Sequence, residues 1–121
     1  MAFETIEEVH DRHLHILWTS GDPLTAEHMV LMYATNSLLL GWWDEVTVIV
    51  WGAAQVAVKE HAGIREKMEE AKKAGVKFTA CLRCAQLLGT EDAMEEAGVE
   101  TLYWGEKLSQ LQQGGKQLLS V

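Results

Sequence analysis

Cys81 and Cys84 are the only cysteines in the chain, and the spacing Cys81-Leu82-Arg83-Cys84 sets them one helical turn apart. They follow Val76-Lys77-Phe78-Thr79-Ala80, which reads as a strand, and they open Leu82 to Leu88, which reads as a short helix stopped by Gly89. A cysteine at a helix start faces unpaired backbone N–H groups and the positive end of the helix dipole, both of which favour thiolate over thiol. The expectation is a reactive sulfur at Cys81, with Arg83 adding positive charge and Cys84 within reach. The competing reading treats both cysteines as small buried hydrophobes.

Other chemistries are less well supplied. Structural zinc needs about four ligands, and there is no second cysteine pair or His-x-x-x-His nearby. His13 and His15 share one strand face and suit either a metal or, more commonly, a hydrogen-bonded histidine pair. His10, His28 and His61 have no evident partners. Trp51-Gly52-Ala53-Ala54 follows a strand but lacks the glycines of a nucleotide loop. No cofactor and no metal are expected.

The elements that position the cysteines are strands alternating with helices. His13 to Trp18 reads as a first strand, stopped by the turn Thr19-Ser20-Gly21-Asp22-Pro23. Thr25 can cap a helix from Ala26 to Leu40, which is apolar on almost every side. Glu45 to Trp51 is a β-branched strand, and a helical region from Gly52 breaks near Gly63 and resumes to Ala74-Gly75. Beyond the cysteines, Thr90 can cap another helix, Val99 to Trp104 reads as a fourth strand, Gly105 begins a last helix, and Lys116 to Val121 reads as a fifth, edge strand. This alternation predicts an α/β fold, a three-layer α/β/α sandwich around a mainly parallel sheet of four or five strands. At 121 residues it is one domain, 1–121, with 1–11 a loose N-terminal extension.

In such sheets ligands bind beyond the carboxyl ends of the strands. That edge gathers Ser20 and Asp22, the Gly52 turn, the two cysteines with Arg83, and Gly105-Glu106. Trp18, Trp51 and Trp104 each end a strand there, and they either line a dry pocket around a thiol or only wall the end of the core.

Composition narrows the partners. The chain is 48% hydrophobic and 23% charged with a net charge of -8, and its Lys and Arg are scattered, so phosphate backbones and anionic membranes are poor partners. The acidic start Met1-Ala2-Phe3-Glu4-Thr5-Ile6-Glu7-Glu8 is unlike a secretion signal, and no apolar run reaches the roughly 20 residues of a membrane span. A cytoplasmic location is expected, where paired cysteines do redox, sulfur or metal chemistry. The all-round apolar helix, in a chain with only one helical layer per sheet face, predicts a homo-oligomer.

Val48-Ile49-Val50-Trp51-Gly52, Ala74-Gly75-Val76-Lys77-Phe78-Thr79-Ala80-Cys81-Leu82-Arg83-Cys84-Ala85 with Gly89, Ala97-Gly98-Val99-Glu100 and Trp104-Gly105-Glu106-Lys107-Leu108 together resemble the DsrE/DsrF-like, sulfur-relay-related family. The resemblance implies a parallel α/β/α sandwich that assembles into dimers, trimers or hexamers. It also implies a persulfide held on the cysteine that starts the helix after the third strand, which falls on Cys81, with sulfur donor and acceptor proteins as partners. Cys84 is shared with many members and absent from some relay subunits. Ala53-Ala54 departs from the Pro-Ser that relatives often carry after Trp-Gly. The function expected is a sulfur carrier, a possible sulfurtransferase; the alternatives are a dithiol protein cycling Cys81 and Cys84, or an oligomeric module binding a small ligand.

Overall fold

The computed structural model describes residues 11–121. Five strands, β1 (His13–Trp18), β2 (Glu45–Val50), β3 (Lys77–Cys81), β4 (Glu100–Leu102) and β5 (Gln117–Ser120), form one all-parallel sheet in the order β4-β3-β2-β1-β5. The three-layer α/β/α reading therefore holds, with five strands and β5 on an edge. Residues 1–10, which include most of the N-terminal extension and His10, lie outside the described residues.

The strand order decides where the helices go. Steps from β1 to β4 all run in one direction, so right-handed crossovers place their helices on one face. These are α1 (Pro23–Thr25), a π-helical turn (Ala26–Leu31), α2 (Met32–Leu39), α3 (Ala53–Glu60), α4 (Ala62–Ala74), α5 (Leu82–Leu88) and α6 (Glu91–Glu96). The return from β4 to β5 runs the other way and lays α7 (Trp104–Gln113) alone across the opposite face, against β3 and β5.

The helix-rich face holds the main core. Leu14, Ile16 and Trp18 of β1 lie beside Val46, Val48 and Val50 of β2, with Phe78 and Ala80 next along, and all are buried. Ile64, Met68 and Ala71 of α4 and Met94 of α6 close over them. On the α7 face the register aligns His13 with Glu45, His15 with Thr47 and Leu17 with Ile49.

Several boundaries differ from the sequence reading, each for a local reason. The first helix begins at Pro23, three residues early, because Asp22 rather than Thr25 caps it. The Asp22 carboxylate accepts the Thr25 N–H at 3.0 Å and its hydroxyl at 2.7 Å, and Pro23 takes the first helical position, where a missing N–H costs nothing. These bonds hold the Asp22 carboxyl below its ordinary pKa. The middle helix breaks at His61, in extended backbone, and Gly63 lies inside α4. The fourth strand stops at Leu102, and Trp104 and Gly105 belong to α7.

Candidate functional site

Cys81 ends β3 and caps α5 in a single residue: its backbone is extended (φ -70, ψ 114) and its sulfur accepts the Cys84 N–H at 3.4 Å. A thiol thus occupies the place that Ser or Asp usually fills at a helix start. Cys81 is 4% exposed, and Cys84 is half-buried.

The Gly52 turn supplies the other side. Gly52 has φ 62 and ψ -128, a conformation that favours glycine. Burial pushes the Cys84 thiol up and the neighbouring Cys81 thiol pushes it further in the same direction, while the backbone N–H of Gly52 acts against them. Gly21, in the loop after β1, packs on Ala53, where an added Cβ would stand 3.2 Å from the Ala53 side chain. Three of the four expected loops therefore meet at the carboxyl edge. Ala53, where relatives often carry Pro, is exposed at the first turn of α3, and Ala54 is fully buried.

The remaining candidates are distributed. Trp18 is fully buried, and its indole N–H donates to the Ser20 carbonyl at 3.0 Å, so it braces the loop from within the core. Trp104 lies under α7 with its indole N–H on the Thr79 hydroxyl at 2.9 Å. Trp51 is half-buried and leads directly into Gly52, and its N–H extends the sheet ladder to the Trp18 carbonyl at 2.9 Å. Ser20 accepts the Asp22 N–H and, with Asp22, shapes the first loop. Arg83 is exposed. Tyr103 ties the β4–α7 junction to α5 through its hydroxyl and Gln86, 3.2 Å apart.

One residue at the site escaped the sequence reading. Gln55 is fully buried; its amide nitrogen donates to the carbonyls of Val50 at 3.0 Å and Cys81 at 2.9 Å, and its oxygen accepts the Thr90 hydroxyl at 2.6 Å. Thr90 does stand at the N-cap of α6, but its hydroxyl serves Gln55 and caps nothing. The available signal was one amide inside the apolar run Ala53 to Val58.

His13 and His15 lie at the other end of β1. Their rings stack 4.1 Å apart, and His13 engages Thr47 at 2.9 Å and Glu45 at 3.2 Å. Among the described residues no group of three or more His, Cys, Asp or Glu is placed to hold a metal ion, and no helix is long and apolar enough to cross a membrane.

A solved structure of the Bacteroides thetaiotaomicron protein BT1422, a conserved protein of unknown function, is similar to this chain at 30% identity and TM-score 0.87, covering 91% of this chain and 95% of that one. The chain belongs to the BT1422 family. No family model matches it, and no curated protein does. BT1422-family membership is accompanied by a wider likeness of fold. MTH1491 of Methanobacterium thermoautotrophicum, also of unknown function, matches at 18% identity and TM-score 0.69, covering 92% of this chain and 100% of that one. The ychN protein of E. coli matches at 14% identity and TM-score 0.67, covering 92% and 99%. Both have the DsrE/TusD-like fold, and this chain shares it.

Proposed function

We propose that this protein carries sulfur as a persulfide on Cys81. The observation that carries the reading is the sulfur of Cys81, receiving a backbone N–H at the carboxyl edge of a parallel sheet with a second cysteine one helical turn away. The resemblance to sulfur-relay proteins and the shared DsrE/TusD-like fold support it.

In the loading step the Cys81 thiolate attacks the outer sulfur of a donor persulfide. A new Cys81 S–S bond forms, the donor S–S bond breaks, and the donor leaves as its thiolate. Unloading repeats this toward an acceptor thiolate, with no net oxidation. Where no acceptor is present, Cys84 gives up its proton and its thiolate attacks the inner, Cys81 sulfur of the persulfide: the Cys81–Cys84 disulfide forms, the bond to the outer sulfur breaks, and that sulfur leaves reduced as hydrogen sulfide, carrying the proton away.

The test is mass spectrometry of the intact protein after exposure to a small-molecule persulfide. Adducts of one or more sulfur atoms on Cys81, lost in Cys81→Ser and longer-lived in Cys84→Ser, are expected. Strong dithiol reductase activity without any sulfur adduct would replace this reading with a dithiol redox role, which the contact of the Cys84 backbone N–H with the Cys81 sulfur favours as the second choice.

A further inference from the structure

We propose that Gln55 is the positioning residue of the cysteine site, holding the Cys81 carbonyl so that the Cys81 sulfur stays on the Cys84 N–H. The ladder between β2 and β3 ends at the pair Val50 and Ala80, whereas β3 runs one residue further and pairs Cys81 only with Leu102 of β4. On the β2 side the backbone of Cys81 has no strand to hold it. Gln55 fills that gap: one amide nitrogen spans the carbonyls of Val50 and Cys81, the two strand ends beyond the last rung.

Three features separate this arrangement from ordinary core filling. A fully buried amide is costly unless its groups are paired, and here both the nitrogen and the oxygen are engaged. Its two acceptors belong to the strand ends that lead into the Gly52 turn and into α5, the segments bearing the contacts of Cys84 and Cys81. Thr90, from the next helix, orients the amide by holding its oxygen, so the nitrogen has only one direction in which to donate. Gln55 itself does not touch either sulfur in this network, and its effect passes through the backbone.

The inference rests on Cys81 being the reacting sulfur and not on what that sulfur carries, so its test uses alkylation instead of sulfur transfer. Iodoacetamide labelling of Cys81 and Cys84 is measured by mass spectrometry from pH 6 to 9 (roughly the span around a free thiol's titration), alongside amide hydrogen exchange of Cys84. In Gln55→Met, the Cys81 to Cys84 labelling ratio is expected to fall by about fivefold or more, and Cys84 amide exchange to accelerate by a similar factor relative to Val48. Thr90→Val, which preserves shape, should shift both in the same direction by about twofold or more and remains decisive if Gln55→Met does not fold. A lowered melting temperature with an unchanged or increased ratio and no selective change at Cys84 would reduce Gln55 to a packing residue and overturn the proposal. Absence of a persulfide adduct in the wild type would leave this result standing and remove only the carrier reading.

Discussion

The backbone N–H of Cys84 donates to the sulfur of Cys81 across 3.4 Å, so the first cysteine caps the helix that carries the second. Ionisation of Cys84 is opposed by its burial and by the Cys81 thiol beside it.

Cys84 should accordingly titrate above the roughly 8.5 of a free thiol. Its alkylation rate against pH is the measurement, and Cys81→Ala, which removes the neighbouring thiol that raises it, should bring the midpoint down. A Cys84 midpoint at or below the free-thiol value would contradict the arrangement.

Gly52→Ala should damage both fold and site. Space is not the obstacle, since among the described residues nothing lies within 4 Å of the added Cβ. The obstacle is φ 62 with ψ -128, which an L side chain adopts at a cost of about 1–3 kcal/mol. If the turn relaxes to escape that strain, its N–H leaves the Cys84 sulfur. Urea denaturation should register the loss of stability, and the Cys84 alkylation midpoint should rise, because that N–H is one of the few groups favouring its thiolate.

Much of this was legible beforehand, and the misses share a cause. Apolar and β-branched runs located β1, β2 and β3, since a buried parallel strand has little freedom in composition, and the glycines before the half-exposed β4 and β5 marked those two. The position of Cys81 was legible because strand, cysteine, short helix and glycine follow one another directly. Gln55 and Thr90 were not, because their roles join residues 35 apart in sequence. Likewise Trp104 reads as the end of a strand until the brevity of β4 places it in α7, where its indole turns to Thr79.

Acid should weaken the fold through His15. Burial lowers its pKa from 6.5, and neighbouring His13 and Lys116 act the same way, against Asp11 and Glu45. The unfolded chain then binds a proton at a pH where the folded one does not, so stability is full above about 6.5 and falls as pH drops toward the folded value. Among the described residues nothing partners the buried Nδ1 of His15 to share an added proton. Denaturant midpoints between pH 7.5 and 5 (roughly a unit or more on either side of that value) should fall for the wild type and flatten in His15→Gln. Equal slopes would assign the acid sensitivity to other groups.

The last prediction is self-association through the outer side of the first helical layer. Leu39 and Leu40 are 66% and 62% exposed, and Leu24, Met29, Met32 and Trp42 are exposed with them. Trp42 stacks on Tyr33, their ring centroids 6.1 Å apart, whereas Trp43 turns inward and donates its indole N–H to the Tyr33 hydroxyl. Monomers rarely leave contiguous apolar patches beyond roughly 300–600 Å² to water. From Met29 through Trp43 the sequence carries no charged residue, although the chain as a whole has net charge -8. Contacts made through these residues themselves set no like charges against each other. A closed symmetric dimer, trimer or hexamer is the expected state. Sedimentation at micromolar protein should show a species larger than 13.5 kDa, and Leu39→Glu or Trp42→Glu should return it toward the monomer by placing a carboxylate in the contact. Trp43→Glu would be a poor choice, because that side chain packs against the core and its loss would confound dissociation with lost stability. A monomer in the wild type, or an assembly indifferent to both substitutions, would show that this face is not where the copies meet.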